Sequence, residues 1–326
     1  MIRTENLTKD YGSGRGIRKI NMHVPKGAIF GFVGPNGAGK TTTIRILCGL
    51  IRADSGKAYV NGMEVKPSNY TKIKKTIGFL PDEFGVYDQM SVWEYLDFFG
   101  AAYRIPPKER KKRIEEVLEI CDASHMIDYQ VNSLSRGMHQ KIGICKTLLH
   151  DPLLLILDEP ANGLDPYARI EMRETILRLK DMGKTILISS HILPELGTMC
   201  DHVGIIEKGQ LLIQGTLEEI THNLQQNLVL EIQVDSPVKD AIELLRQYPG
   251  VKDVQGSLHE IRIEYVGKRN EIADLTSYLV QNGVRLMSIK EGEVDLENVF
   301  LTVTGKDRKA PAKSPAKPVV KAHDPE

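Results

Sequence analysis

Residues Gly34–Thr41, Gly-Pro-Asn-Gly-Ala-Gly-Lys-Thr, have the types and spacing of a phosphate-binding loop. The apolar run Ala28–Val33 before them predicts a buried strand, and Thr41–Leu50 after them predicts a helix ended by glycine. Backbone N–H groups around the glycines can wrap an anion, and the helix N-terminus adds partial positive charge. Lys40 is expected to reach the β- and γ-phosphates, and the Thr41 hydroxyl to ligate Mg²⁺. The sequence therefore predicts a nucleoside triphosphate site.

Two further chemical signals also follow predicted strands. Asp158 and Glu159 end the apolar run Leu153–Leu157, and His191 follows the strand Lys184–Ser190. The two carboxylates could simply be polar side chains at the protein surface. Beside a phosphate loop, however, they suit Mg²⁺ coordination by Asp158 and water activation by Glu159. Ligands of doubly wound sheets bind outside the carboxyl ends of the strands. We therefore expect all these groups at one edge of the sheet.

A second helix N-terminus suited to an anion is predicted at Ser135, with Gly137 allowing close backbone approach. Plain helix capping is the alternative interpretation. Tyr11 precedes a glycine-rich turn, from which its ring could stack on a purine or simply pack in the fold.

Aromatic residues are concentrated between Phe84 and Tyr103. An amphipathic helix over Ser91–Ala102, with Ser91 and Glu94 as a capping box, favours a core role. Aromatic enrichment at interfaces favours a partner-docking surface instead. The residues concerned are Phe84, Tyr87, Trp93, Tyr95, Phe98, Phe99 and Tyr103.

Composition narrows the class of protein. The chain has 326 residues, enough for two domains, and Lys+Arg balance Asp+Glu at 43 each, so no global charge favours nucleic acid. Its four cysteines are scattered, which indicates reduced thiols in a cytosolic protein. Neither a signal peptide nor a membrane span is predicted, and the chain is expected to be soluble by itself.

The second half of the chain changes pattern. We expect a first domain over 1–217, a linker over 218–227, a second domain over 228–304 and a disordered Lys-, Ala- and Pro-rich tail over 305–326. The predicted order of elements in the second domain, βαββαβ, is that of a ferredoxin-like α+β fold.

Residues 1–217 closely resemble the nucleotide-binding subunit of ATP-binding-cassette (ABC) transporters. The resemblance implies an α/β P-loop NTPase fold with a parallel core sheet, an antiparallel β subdomain and a helical subdomain. Residues 228–304 resemble, more weakly, the accessory domain of drug- and antibiotic-type export ATPases. The matching motifs are Gly34–Thr41 (Walker A), Leu134–Met138 (signature), Leu153–Glu159 (Walker B), Gly163–Asp165 (D-loop), His191 (switch histidine) and Tyr11 (A-loop).

The resemblance also implies roles for individual residues. Glu159 and His191 would be catalytic, and Thr41, Asp158 and Asp82 would meet Mg²⁺. Asp82 stands where the family has a glutamine, and Arg136 and Met138 replace the usual glycine and glutamine of the signature. The implied nucleotide-binding residues are Tyr11, Gly34, Pro35, Asn36, Gly37, Ala38, Gly39, Lys40, Thr41, Thr42, Asp82, Ser135, Gly137 and Asp165.

The implied function is an ATPase subunit that powers export through a separate membrane permease, gripped near Asp82–Tyr103, at the inner face of the cell membrane. Two copies would pack head to tail as a homodimer, with ATP and Mg²⁺ between Walker A of one chain and Ser135 and Gly137 of the other. The alternative is a soluble ABC ATPase acting on ribosomes or nucleic acid. A single phosphate loop and the lack of a heptad run count against that alternative. A third hypothesis, a kinase or other phosphate-loop transferase, is disfavoured because the signature and the switch histidine would then have no role.

Overall fold

The structure of the protein is a computed structural model that describes residues 1–85, 89–192, 196–224, 228–235 and 237–292. Tyr87 of the aromatic segment lies outside these residues, as do the end of the predicted second domain (293–304) and the predicted tail (305–326).

A six-stranded sheet forms the centre of the first domain, in the order β11-β10-β4-β9-β8-β7. The strands from β10 to β7 pair in parallel, and β11 joins β10 antiparallel. All residues of β4, β8 and β9 are buried, because apolar layers cover both faces. The predicted parallel core sheet is confirmed. The strands are β4 (Ile29–Val33), β7 (Ile77–Leu80), β8 (Leu154–Asp158), β9 (Thr185–Ser190), β10 (His202–Glu207) and β11 (Gln210–Thr216).

An antiparallel sheet precedes and flanks the core sheet, with β1 at its centre paired to β2, β3 and β5. One buried cluster joins its apolar face to helix α1 and to one face of the core sheet. This sheet is the predicted antiparallel β subdomain. Its strands are β1 (Ile2–Asp10), β2 (Gly16–Ile20), β3 (His23–Val24), β5 (Ser55–Val60) and β6 (Met63–Glu64).

Helices cover the other face of the core sheet, where a second buried cluster contains residues of α3 to α6. The predicted capping box starts α3, since Glu94 N donates to Ser91 Oγ at 3.2 Å and Ser91 N donates to Glu94 Oε2 at 2.8 Å. The helices of the first domain are α1 (Lys40–Leu47), α2 (Tyr70–Thr76), α3 (Val92–Ala102), α4 (Pro107–Ile120), α5 (Arg136–Leu148) and α6 (Pro166–Asp181).

The aromatic segment is partly buried in the core, as the first interpretation predicted, and the partner-docking interpretation stays a prediction. Tyr95 is fully buried in the core, and Trp93 packs partly buried against it. Phe98 and Tyr103, in contrast, are 44% and 42% exposed.

The segment expected as a linker contains a helix, α7 (Leu217–Leu224), and Ile220 is buried in the core of the first domain. Beyond it, four antiparallel strands in the order β13-β14-β12-β15 and two helices enclose a core of their own. This is the strand order of the predicted ferredoxin-like fold. The elements are β12 (Leu228–Val234), α8 (Val238–Gln247), β13 (Val251–Ser257), β14 (Glu260–Tyr265), α9 (Ile272–Gln281) and β15 (Leu286–Glu291).

Within the described ranges, no helix combines the length and the apolar character needed to cross a membrane.

Candidate functional site

The loop between β4 and α1 has the backbone of an anion-binding loop. Gly39 has φ +111°, and a Cβ there would lie 2.5 Å from Ile17 Cγ2. A Cβ on Gly34 would lie 2.2 Å from the carbonyl oxygen of Ile206. Both positions therefore require glycine. No side chain caps the N-terminus of α1, so the first N–H groups of that helix face the loop and suit a phosphate.

Lys40, the first residue of α1, is only 6% exposed. Its Nζ donates to Gly34 O at 2.6 Å and to Pro35 O at 3.4 Å, and it lies 3.1 Å from Glu159 Oε1. The loop therefore holds the ammonium group over its own backbone, beside the end of β8.

Asp158 ends β8 and is 3% exposed. Its carboxylate accepts hydrogen bonds from the hydroxyls of Ser189 and Thr41. Burial raises its pKa above the ordinary value, and the nearby charges of Glu159 and Asp82 raise the pKa further. A cation beside Thr41 and Asp158 would offset this negative charge, so the pair fits Mg²⁺.

No group of three or more His, Cys, Asp or Glu side chains in the described part of the chain could hold a metal ion alone. A Mg²⁺ ion here would need phosphate oxygens and water as its remaining ligands, which is its usual coordination in nucleotide sites.

Glu159 follows in a left-handed conformation, φ +52°, and donates its N–H to Ser189 Oγ at 3.0 Å. Its Oε2 lies 2.7 Å from His191 Nδ1, which must donate because an ionised carboxylate only accepts. Oε1 is shielded from solvent and accepts no hydrogen bond from any described residue, since Lys40 Nζ directs its hydrogen bonds to loop carbonyls. Oε2 is thus held by His191, whereas Oε1, 3.1 Å from Lys40 Nζ, is the carboxylate oxygen that accepts no hydrogen bond among the described residues.

Asp82 lies beside this group, after β7. Asn162 Nδ2 donates to its Oδ1 at 3.3 Å, and Gln140 Nε2 lies 3.5 Å from its backbone oxygen. The structure therefore brings together the phosphate loop, Asp158, Glu159 and His191, as the sheet-edge argument predicted, and Asp82 lies close enough to Asp158 to affect its pKa. Ser189 and Asn162 were not predicted as site residues, although Ser189 is two residues from His191 and Asn162 is three residues from Glu159.

The signature residues lie on a different surface. Ser135 caps α5, accepting Met138 N at 3.3 Å, and a Cβ on Gly137 would lie 2.9 Å from Ala168 Cβ. Asp165 caps α6 through Ala168 N at 3.0 Å. None of the hydrogen bonds among the described residues joins Ser135 or Asp165 to the phosphate loop of the same chain.

Tyr11 lies at the end of the β1–β2 hairpin and is 49% exposed, with Lys9 Nζ 5.7 Å from its ring centroid. The same hairpin reaches the phosphate loop, because Gly16 O would be 3.2 Å from a Cβ on Gly39. The exposed ring therefore belongs to a hairpin that contacts the phosphate loop.

Comparisons with known proteins agree on one family. Residues 17–162 match the family model described as "ABC transporter". The chain is 33% identical over 308 residues to the linearmycin resistance ATP-binding protein LnrL of Bacillus subtilis, covering 94% of this chain and 99% of LnrL. It is 38% identical over 310 residues to the bacitracin transport ATP-binding protein BcrA of Bacillus licheniformis, covering 94% and 97%.

Solved structures give the same result for the first domain. The structure of cbiO1 from Clostridium perfringens, part of the ABC transporter complex cbiONQ, superposes with a TM-score of 0.62 at 25% identity, covering 69% of this chain and 94% of cbiO1. The ADP conformation of the ATP-binding cassette MJ1267 superposes with a TM-score of 0.61 at 26% identity, covering 69% and 94%.

Proposed function

This chain belongs to the ATP-binding proteins of ABC transporters, and from that premise we propose how its site hydrolyses ATP and what the hydrolysis drives. The chain is an ATPase of that family. Glu159 carries the proposal, because its Oε1 is buried, accepts no hydrogen bond from the described residues and lies beside Lys40. That oxygen accepts a proton of the attacking water, while His191 holds Oε2 in place and turns its other ring nitrogen toward the γ-phosphate.

The remaining side chains bind and orient the nucleotide. Lys40 and the N–H groups of α1 hold the β- and γ-phosphates, and Tyr11 stacks on the adenine. Thr41, Asp158 and Asp82 would hold Mg²⁺. When bound, Mg²⁺ neutralises the phosphate oxygens and the charge that develops on them.

Two copies of the chain work as a head-to-tail homodimer. Ser135 and Gly137 lie at a helix N-terminus that, among the described residues, makes no hydrogen bond to the phosphate loop of its own chain. In the dimer, this helix end meets the γ-phosphate on the partner and closes the ATP site.

Hydrolysis drives export through a separate permease, and the chain works at the inner face of the cell membrane. The relatives LnrL and BcrA, named for linearmycin resistance and bacitracin transport, support an antibiotic-type cargo. The ATPase domain is followed by a ferredoxin-like accessory domain over 228–304.

The test is an affinity pull-down of the tagged full chain from its own cell membranes in mild detergent. Recovery of a stoichiometric multi-span protein is the expected result. Recovery of ribosomes or nucleic acid without a membrane partner would overturn the transport proposal and favour the alternative of a soluble ABC ATPase.

A further inference from the structure

The first turn of helix α5 carries a cation at an electrostatically unfavourable place. Arg136 is the first residue of α5, directly after the cap Ser135, and the turn Arg136–His139 contains no acidic residue. The partial positive charge of a helix N-terminus favours anions and disfavours a guanidinium group. Arg136 is also exposed, so packing of the hydrophobic core does not require it. A residue that conflicts with its local electrostatics is commonly kept for function.

The guanidinium group of Arg136 lies against the loop that follows β8. A Cβ on Gly163 would be 2.8 Å from Arg136 Cζ and 2.9 Å from both Nε and Nη1. These three nearly equal distances show that the planar group faces Gly163. A real Cβ does not approach other atoms this closely, so a larger residue at position 163 would displace the guanidinium group.

This loop begins at the proposed base. The N–H group of Asn162 donates to Glu159 O at 3.1 Å, which closes a turn directly before Gly163. Glu159 has φ +52°, a conformation that a residue with a side chain keeps only when its surroundings enforce it. A displacement of Gly163 would therefore change the backbone at Glu159 and the direction of its carboxylate.

Other contacts hold the loop on both sides of Gly163. Asn162 Nδ2 donates to Asp82 Oδ1 at 3.3 Å, and Arg169 Nε donates to Leu164 O at 3.0 Å. Gly163 lies between these two anchored residues, and the guanidinium group covers it from the side of α5. The first residue of the signature helix thus completes the support of the loop.

We propose that Arg136 is a positioning residue for ATP hydrolysis, which holds the loop at Gly163 and through it the carboxylate of Glu159. The inference rests on the proposed function, in which Glu159 is the base. The guanidinium group acts as a rigid plane packed on a glycine, and it does not contact the nucleotide. It therefore affects the rate of the chemical step and leaves ATP binding unchanged.

The test measures ATP hydrolysis by variants of the full chain. We expect Arg136→Ala to lower kcat about fivefold to tenfold and to keep KM within about twofold, because the base is displaced and the phosphate-binding groups are not. Arg136→Lys keeps the charge without the planar group and should recover only part of the rate.

A substitution on the other side of the contact should have the same effect. The Cβ of Gly163→Ala takes the place of the guanidinium group, so this variant should lose as much kcat as Arg136→Ala. Gly183→Ala is the matched control for backbone strain. Gly183 has φ +83°, close to the +69° of Gly163, and no described atom lies within 4 Å of its Cβ position, so kcat should stay within about twofold.

A double-mutant cycle shows whether Arg136 acts through Glu159. In the Glu159→Gln background the proposed base is absent, so Arg136→Ala should change single-turnover hydrolysis by less than about twofold. A general structural defect would lower hydrolysis equally in both backgrounds. Adding Gly163→Ala to Arg136→Ala should cause little further loss of kcat, since both variants remove the same contact.

The outcomes separate this inference from the proposed function. Wild-type kcat in Arg136→Ala, or an equal loss with and without the Glu159 carboxylate, would overturn the positioning role and leave Glu159 as the base. A raised KM with unchanged kcat would overturn it too, and would assign the guanidinium group to nucleotide binding. Wild-type turnover in Glu159→Gln alone would instead overturn the proposed base, and the positioning role with it. Far-UV circular dichroism of Arg136→Ala should match wild type, because the side chain is exposed.

Discussion

The ammonium group of Lys40 lies 3.1 Å from Glu159 Oε1, so the cation predicted to hold the phosphates and the predicted base form an ion pair. Nζ also donates hydrogen bonds to two carbonyl oxygens of the loop, Gly34 O and Pro35 O. Glu159 and a bound triphosphate therefore compete for the same positive charge.

Glu159→Gln should lower ATP turnover by at least a hundredfold and strengthen ATP binding severalfold. The amide cannot accept a proton from water, and it no longer attracts the Lys40 charge away from the phosphates. Turnover is measured by phosphate release and affinity with a fluorescent ATP analogue, and light scattering in ATP should show accumulated dimer. Wild-type turnover in this variant would exclude Glu159 as the base.

His191→Ala should reduce turnover about tenfold to a hundredfold with little change in ATP affinity. The variant removes the Nδ1 donor at 2.7 Å that orients Oε2 of Glu159. His191→Gln, which can donate a similar hydrogen bond, should recover part of the rate. Equal rates for the alanine and glutamine variants would contradict an orienting role.

Sequence alone predicted the position of this site because strand direction determines it. The phosphate loop follows β4, His191 follows β9, and Asp158 ends β8. These are adjacent parallel strands, and parallel strands end at one edge. The contact of Ser189 with Asp158 and that of Asn162 with Asp82 could not be predicted from the sequence. Ser189 meets Asp158 through the register of β8 on β9, and Asn162 meets Asp82 across 80 residues of sequence.

The segment predicted as a linker contains a helix that its sequence did not indicate. Residues 218–227 carry no long apolar run, yet α7 begins at Leu217 and buries Ile220 in the first domain. Burial of one side chain by tertiary contact is not visible in local periodicity, because a short helix depends on packing more than on its own propensity.

Gly34→Ala should destabilise the protein by about 2–3 kcal/mol, since its Cβ would meet the backbone oxygen of Ile206 at 2.2 Å and backbone cannot move aside cheaply. Gly37→Ala is the matched control in the same loop. Gly37 has φ +80° and nothing within 4 Å of a Cβ, so only backbone strain of about 1 kcal/mol is expected. Urea unfolding of both variants gives the difference. Equal losses would show that the loop backbone relaxes around Gly34.

Lys146→Met should raise the free energy of unfolding at pH 7 by about 1–3 kcal/mol, because burial lowers the pKa of Lys146 from 10.5 to about 8. Between those pH values the unfolded chain binds more protons than the folded chain, so wild-type stability from this residue rises with pH. The advantage of the variant should therefore shrink from pH 8 toward pH 10.5. Urea titrations from pH 7 to 9.5 measure the difference in free energy of unfolding between the variant and wild type. A difference that does not change with pH would contradict the burial of a charged amine.

Asp82 stands where the family has a glutamine. The variant Asp82→Asn distinguishes an electrostatic effect of Asp82 on Asp158 from direct coordination of Mg²⁺ by Asp82. The charge of Asp82 helps to raise the pKa of Asp158, so its removal favours ionised Asp158. The acid-side inflection of the ATPase pH profile should therefore move to lower pH. Glu83→Gln, an exposed carboxylate one residue farther on, is the control and should shift the profile less.

The Mg²⁺ dependence of the same variant completes the test. If Asp82 meets the metal, the amide should raise the Mg²⁺ concentration for half-maximal turnover about tenfold, because loss of one anionic ligand weakens a site with few protein ligands. An unchanged Mg²⁺ requirement with a shifted pH profile would show that Asp82 does not coordinate the metal and acts only through its charge on the pKa of Asp158. In that case its contact with Asn162, 3.3 Å away, would be the remaining link between β7 and the segment after β8.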